Sequence, residues 1–241
     1  MLYYVVLCAI IKLMTEKRGI GMIEQLKGAI FDMDGTLIDS LMVWDVLWEK
    51  FGKKFNDGTL NVSKEDDKAV RTMTLKGAMD YIHERYLIGE SGDELLNEAN
   101  AMMIEFYSEE VMLKKGVLEF LEYLKNRGVK MCIASATAPE LIEIAAKHCE
   151  IRDYFEFIIS CTEVGKGKDQ PDIYIKAAEK LGTSISESCV FEDSHIAVNT
   201  AYKLGMKTVG IFDKYNYGHE EMRKIATCYI ADGETLEKLI K

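Results

Sequence analysis

Two pairs of acidic residues stand out, because each pair directly follows a short apolar run. Asp32 and Asp34 follow the run GAIF, and Glu192 and Asp193 follow the run CVF. Side chains two residues apart in an extended chain point the same way, with Cα atoms about 6–7 Å apart. An acidic turn that caps the next segment is the alternative interpretation of D-x-D-G-T taken alone. The second acidic pair argues against that alternative.

These four carboxylates would gather at one place if the two runs lie at one edge of a sheet. Like charges that close raise one another's pKa values, and a hard divalent cation relieves the repulsion. Oxygen ligands beside a phosphate favour Mg²⁺. Lys168 supplies a further positive charge. Together, Mg²⁺ and Lys168 would make this place acceptable to a phosphate dianion.

A third apolar run, MCIA, is followed by Ser135 and then by Thr137. A hydroxyl and backbone N–H groups at the tip of a strand can hold a phosphate oxygen. Taken singly, Ser135 is typical of a turn or cap, and Lys168 is typical of a solvated loop. The prediction of a site for a phosphate group and Mg²⁺ therefore rests on the whole set of residues and not on any one member.

The elements that must position these residues form an alternating pattern. Apolar runs near residues 28–31, 129–134, 157–159, 189–191 and 208–211 are separated, in the second half of the chain, by helical segments. Alternating strands and helices are typical of an α/β protein with a parallel sheet covered on both faces. Such sheets bind ligands at the carboxyl ends of their strands. The candidate residues lie at or shortly after such ends, so all could reach one edge.

Residues 40–111 differ from this pattern, since they have helical spacing of apolar residues and no convincing strand. We therefore predict a core at residues 22–39 and 112–241, with a helical insertion between its two parts. Residues 1–21 are predicted to be an N-terminal extension. Their apolar run is shorter than the about 20 residues that span a bilayer, and it lacks the cationic start and cleavage site of a signal peptide.

The composition excludes several classes of protein. The chain has 241 residues, of which 48% are hydrophobic, and a net charge of −10. That mixture is typical of a globular chain and not of a disordered one. The acidic balance argues against a nucleic-acid partner and against an anionic membrane surface. None of the six cysteines forms a C-x-x-C pair, which argues against a zinc knuckle or a thioredoxin-like motif. Most of them lie in apolar runs, and we expect a reduced, cytoplasmic protein.

The same residues resemble the motifs of the haloacid dehalogenase (HAD) superfamily, in its phosphatase branch. FDMDGTLIDS at residues 31–40 is similar to the first motif, and Ser135 matches the second. GKDQPD at residues 167–172 is similar to the third motif, and VFEDS at residues 190–194 is similar to the fourth. The motifs occur in the family's order and cover residues 28–211. The resemblance implies a Rossmann-like α/β core with an inserted all-helical cap domain, as in β-phosphoglucomutase-like phosphatases.

The resemblance also implies roles for individual residues. Asp32 would attack phosphorus to give an aspartyl-phosphate. Asp34 would protonate the leaving oxygen and then activate water. Ser135 and Lys168 would hold the transferring phosphoryl group, and Ala136 would also contribute to substrate binding.

The metal site implied by the resemblance is made of oxygen ligands. Asp32, Asp193 and the backbone carbonyl of Asp34 would bind Mg²⁺, with Glu192 in or near the same shell. The sequence departs from the family pattern just after the third motif's lysine, where Asp169 replaces a proline. Lys166 is a nearby competitor for the role of that lysine.

Several functions are compatible with these motifs. Sugar phosphomutases of the β-phosphoglucomutase type carry a histidine at about the place of Trp44, which cannot shuttle a proton. Trp44 is instead a candidate for stacking on substrate, although its helical spacing with Trp48 favours packing within the cap. Asp34 argues against dehalogenases and phosphonatases, which usually lack it. A non-catalytic metabolite-binding protein is a further alternative.

The prediction favoured over these alternatives is a phosphatase. We expect a Mg²⁺-dependent hydrolase of a small soluble phosphomonoester, with sugar phosphates as the first candidate substrates and nucleotides as the second. The oligomeric state is left open between a monomer and a homodimer.

Overall fold

The computed structural model describes residues 21–71 and 73–240. These residues divide into two compact units. One contains the described chain up to Asp39 and again from Val111, and the other contains Ser40–Glu110. The predicted N-terminal extension lies outside the described residues except for Gly21.

The first unit is built on a parallel sheet. Its strands are β1 (Gly28–Phe31), β2 (Ile38–Asp39), β3 (Met112–Leu113), β4 (Lys130–Ser135), β5 (Phe157–Ser160), β6 (Ser188–Glu192), β7 (Lys207–Ile211) and β8 (Cys228–Ile230). Six of them form one sheet in the order β5-β4-β1-β6-β7-β8, and every neighbouring pair is parallel. Strands β2 and β3 form a separate antiparallel ribbon in which Asp39 pairs with Met112.

Helices connect the strands of this sheet. Their bounds are Val117–Asn126, Pro139–His148, Cys161–Val164, Asp172–Leu181, His195–Leu204 and His219–Ile225. Short 3-10 helices occur at Arg152–Tyr154, Ile185–Glu187 and Leu236–Leu239. The predicted α/β class with a parallel sheet is confirmed. Strand β8 and the β2–β3 ribbon were not predicted, because each of these strands is too short to show a period of its own.

The core of the sheet unit lies around its central strand. All residues of β1 are buried, as expected for a parallel strand covered on both faces. The ring of Phe31 stacks on that of Phe191, with 4.4 Å between centroids. Phe31 also meets the rings of Phe120 and Phe155 edge-on, at 6.3 and 5.9 Å. These aromatic contacts fix the end of β1 that carries the first acidic pair.

The second unit is helical. Its helices are Val43–Phe55, Lys64–Val70, Leu75–Tyr86 and Gly92–Glu105, followed by a π-helical turn at Phe106–Glu110. Three of the helices begin at a hydroxyl side chain that caps a free backbone N–H: Ser63, Thr74 and Ser91. The predicted helical character of this stretch is therefore confirmed.

A buried carboxylate joins two helices of this unit. Asp66 is 6% exposed and accepts hydrogen bonds from the hydroxyls of Tyr81 at 2.5 Å and Tyr86 at 2.6 Å. These bonds, that of Tyr81 first, hold the pKa of Asp66 well below its usual range. Asp66 therefore stays ionised and ties its own helix to the helix Leu75–Tyr86.

The helix Leu75–Tyr86 ends in a left-handed residue that is not glycine. Leu87 has φ 53° and ψ 41°, and its N–H donates to the carbonyl of His83 at 2.9 Å. The side chain is 85% exposed, so no packing compensates for the unfavourable backbone conformation.

In the part of the chain that the structure describes, no helix combines the length and the apolar character needed to cross a membrane.

Candidate active site

The register of β1 and β6 brings the two acidic segments together. Phe31 pairs with Phe191, and the N–H of Asp32 donates to the carbonyl of Phe191 at 3.0 Å. Side chains alternate between the two faces of a strand. The acids that follow the stacked rings, Asp32 and Glu192, therefore emerge next to each other at the carboxyl edge of the sheet.

Lys168 bridges these two acids. Its Nζ donates to Oδ1 of Asp32 and, at 2.7 Å, to Oε2 of Glu192. Burial acts to lower the pKa of Lys168, but the charges of Asp32 and Glu192 outweigh it and hold the pKa well above its usual value. Lys166, the competitor for this role, instead pairs with Asp172 at 2.8 Å.

Three buried carboxylates form one acidic cluster at this edge: those of Asp32, Glu192 and Asp193. One oxygen of each lies within 4.8 Å of the others. Burial first, and then the charge of Glu192, raise the pKa of Asp32 to about 8 even with Lys168 beside it. Burial and the charges of Asp32 and Glu192 likewise raise the pKa of Asp193 well above its usual value. The single positive charge of Lys168 cannot neutralise the charges of three ionised carboxylates.

The acidic cluster fits a hard divalent cation. Carboxylate oxygens are the ligands that Mg²⁺ prefers, and a cation would offset the excess negative charge that burial makes costly. The carboxylate of Asp34 is not among the three oxygens that converge in the described residues. The expectation that Asp34 offers its backbone carbonyl to the cation stays a prediction.

Asp34 is directed toward the end of β4 instead. Its Oδ2 accepts a hydrogen bond from Oγ1 of Thr137 at 2.7 Å. The N–H of Thr137 in turn donates to Oγ of buried Ser135 at 3.1 Å. Ala136 lies exposed between them, at the same strand end. The turn after Asp34 requires Gly35, whose φ is +76°.

Trp44 belongs to the helical unit. Its ring lies 5.6 Å from that of Trp48, and the guanidinium of Arg71 lies 5.9 Å from it. Trp44 therefore has packing partners within its own unit. Its role in substrate binding stays a prediction.

Two further side chains contact the acidic cluster. Asn216 Nδ2 donates to Oδ2 of Asp193 at 2.8 Å, and Thr36 Oγ1 faces Oδ1 of Asp193 at 3.4 Å. Asn216 was missed because the strand-end rule was applied to β1, β4, β5 and β6 but not to β7. The loop after β7 reaches the same edge, so the same rule would have found it.

Comparison with known proteins identifies the same family as the four sequence motifs. The family model of haloacid dehalogenase-like hydrolases matches residues 26–196. The chain belongs to the haloacid dehalogenase-like hydrolase family. The family and the enzyme class expected from the motifs, a hydrolase of the phosphatase kind, are therefore confirmed.

Relatives of this HAD hydrolase cover most of its length. It is 23% identical, over 89% of its own chain and 98% of the relative, to the phosphorylated carbohydrates phosphatase of Thermotoga maritima. It is 28% identical to the β-phosphoglucomutase of Bacillus subtilis, over 77% of its own chain and 83% of that enzyme.

A solved structure supports the fold. CbbY from Rhodobacter sphaeroides, in complex with phosphate, has a TM-score of 0.70 and 18% identity, and covers 86% of this chain and 94% of its own. The HAD hydrolase therefore has the α/β fold of the β-phosphoglucomutase-like branch, and its helical region corresponds to the cap of that branch.

Proposed function

We propose that this HAD hydrolase is a Mg²⁺-dependent phosphatase that hydrolyses a small phosphomonoester through an aspartyl-phosphate on Asp32. The observation that carries the proposal is the bridge from Lys168 to Asp32 and Glu192 within the acidic cluster. It supports the proposal because the carboxylate of Asp32 lies beside the ammonium group of Lys168 and beside two further carboxylates of the kind that bind divalent cations. A dianionic phosphate group is the substrate that such a site stabilises best.

The proposed reaction begins with attack by the carboxylate of Asp32. A bond forms between its oxygen and phosphorus while the bond from phosphorus to the leaving oxygen breaks. Lys168 holds the charge of the transferring group, and Ser135, at the end of β4, offers a hydroxyl to one of its oxygens. Asp32, Glu192 and Asp193 would hold the divalent cation, which when bound supplies further positive charge to the phosphoryl oxygens.

Asp34 supplies and later recovers the proton. Its carboxylic acid gives a proton to the leaving alcohol oxygen, and the resulting carboxylate accepts one from the water that cleaves the aspartyl-phosphate. Inorganic phosphate and free Asp32 result, with Asp34 protonated again. The hydrogen bond from Thr137 fixes the direction in which the Asp34 carboxylate points.

The proposed substrate class is based on the activities of the relatives and not on the geometry of the site. One relative is a phosphatase of phosphorylated carbohydrates and another is a β-phosphoglucomutase. Sugar phosphates are therefore the first substrates to test, and nucleoside monophosphates the second.

The test is phosphate release from p-nitrophenyl phosphate and from a panel of sugar phosphates and nucleotides, with Mg²⁺ or with EDTA. We expect release by wild type only with Mg²⁺, and a loss of at least about 10³-fold in Asp32→Asn. Asp153→Asn makes the same chemical change at an exposed position and should keep full activity.

Each other outcome of this test has a definite meaning. Near-wild-type turnover in Asp32→Asn would exclude Asp32 as the nucleophile. Conversion of a sugar phosphate to its isomer without release of phosphate would identify a mutase. A ligand-dependent rise in melting temperature with no turnover of any panel member would identify a binding protein.

A further inference from the structure

Lys114, just after β3, has a side chain that is only 19% exposed. Its Nζ donates to the carbonyl of Gly35 at 2.5 Å, to Oδ2 of Asp213 at 2.7 Å and to the carbonyl of Phe212 at 3.3 Å. An ammonium group has three N–H donors, and here each has an acceptor. Lys114 therefore connects the turn after Asp34 to the loop after β7.

Asp213, the partner of Lys114, fixes the conformation of that loop. It is 4% exposed, and its Oδ1 accepts from the N–H of Tyr215 at 2.9 Å. Its carbonyl accepts from the N–H of Asn216 at 3.1 Å. An aspartate that bonds to the backbone two residues ahead is a recognised way to set a tight turn. The turn directs the Asn216 side chain toward Asp193.

Asn216 ends this chain of contacts at the acidic cluster. Its Nδ2 donates to Oδ2 of Asp193 at 2.8 Å. This hydrogen bond holds one oxygen of the Asp193 carboxylate and so fixes the direction in which the carboxylate points.

We propose that Lys114 and Asp213 are positioning residues of the active site. Their buried ion pair holds the Gly35 turn and the loop up to Asn216 in the arrangement that presents Asp193, fixed in direction by Asn216, to the divalent cation. This inference rests on the proposed function, since it concerns the cation that the function requires. Groups that orient metal ligands without touching the metal typically change metal affinity by about 10- to 100-fold when removed.

The test measures cation binding apart from turnover. Mn²⁺ is titrated into each protein, and the free ion is measured by electron paramagnetic resonance. We expect Lys114→Met to raise the Mn²⁺ dissociation constant by about 10-fold or more. Lys115→Met removes the same charge from the adjacent, exposed lysine and should change it by less than about two-fold.

Two further variants keep the test decisive if Lys114→Met folds poorly. Asn216→Ala removes the contact with Asp193 and the exposed hydrogen bond from the N–H of Tyr217, but leaves the buried ion pair. We therefore expect a similar loss of Mn²⁺ affinity with little change in melting temperature. Asp213→Asn preserves the shape of the turn but not the charge pair, and should weaken binding as well. Wild-type affinity in folded Lys114→Met or in Asn216→Ala overturns the proposal.

A double variant tests whether Lys114 acts through Asn216 or independently of it. If Lys114 acts through Asn216, the double variant Lys114→Met/Asn216→Ala should have a Mn²⁺ dissociation constant no higher than that of the single variant with the lower affinity. If the fold-increases in the dissociation constant of the two single variants multiply in the double variant, the two residues act independently, which contradicts the proposal.

Enzyme kinetics supply a second readout. In Lys114→Met the Mg²⁺ concentration for half-maximal activity should rise, while kcat at saturating Mg²⁺ should largely recover. A kcat that stays low at every Mg²⁺ concentration would contradict a role in presenting Asp193. If wild type itself binds no Mn²⁺, the proposed function and this inference fall together. If wild type binds it and releases phosphate while Lys114→Met binds equally well, only the inference falls.

Discussion

The hydroxyl of Thr137 donates a hydrogen bond to the carboxylate of Asp34, with 2.7 Å between Oγ1 and Oδ2. The same threonine donates its backbone N–H to Ser135. One residue at the end of β4 therefore connects the proposed acid–base group to the proposed phosphate-binding hydroxyl. Neither contact is visible in the sequence, where Asp34 and Thr137 are 103 positions apart.

Replacing Thr137 by valine should lower kcat by about 10- to 100-fold, with a smaller effect on KM. A hydrogen bond to a charged group contributes about 1.5–3 kcal/mol, and here that energy orients a group that acts in proton transfer. Thr137→Ser keeps the hydroxyl and should retain most of the activity. The comparison is made by steady-state phosphate release, and an unchanged kcat in Thr137→Val would count against the positioning of Asp34.

Lys168→Met should reduce phosphate release by about 10²-fold or more, because it removes the cation that holds the transferring group. Lys166→Met is the matched control, since Lys166 lies two residues away and pairs with Asp172. Its activity should stay within a few-fold of wild type. The opposite ranking of the two variants would assign the motif's role to Lys166.

The stabilising effect of Asp66 should depend on pH. Its pKa in the folded protein lies below the value of about 3.9 found in unfolded chains, so its contribution is complete above that value and is lost as the pH falls below it. Asp66→Asn should therefore have a lower melting temperature than wild type at pH 7, and the difference should shrink toward pH 3. Thermal unfolding followed by circular dichroism measures this, and a difference that grows on acidification would contradict it.

Leu87→Gly should raise the free energy of unfolding by up to about 1 kcal/mol. Glycine adopts the left-handed conformation without the steric cost that a Cβ introduces, and the exposed leucine side chain contributes little packing. Leu87→Ala removes the same side chain but keeps the Cβ, and so should not stabilise. Urea titration of the three proteins tests whether the backbone conformation, and not the lost side chain, is responsible.

Much of the sheet and part of the site could be predicted from local pattern. The apolar runs of a buried parallel sheet are continuous, so strands such as β1 and β6 are visible in the sequence, and so are the acids that follow them. That Asp32 and Glu192 share Lys168 depends on the register of Phe31 with Phe191, which no local pattern contains.

The rest of the site could not be predicted because it depends on loops. Asn216 reaches Asp193 only through the turn that Asp213 sets after β7. Lys114 follows a two-residue strand, and it lies 99 positions from Asp213. In the sequence it resembles any solvated lysine, because its three acceptors come from segments that only the folded chain brings together.

The pairing of Asp39 with Met112 in the β2–β3 ribbon has an evolutionary consequence. It means that the sheet unit presents the two ends of its insertion side by side. The entropy lost by closing a chain between two adjacent points grows only with the logarithm of its length, so each doubling of the insertion costs about 0.6 kcal/mol. The inserted unit can therefore lengthen, shorten or be exchanged with little thermodynamic effect on the sheet, and the phosphate chemistry and the inserted unit can diverge independently.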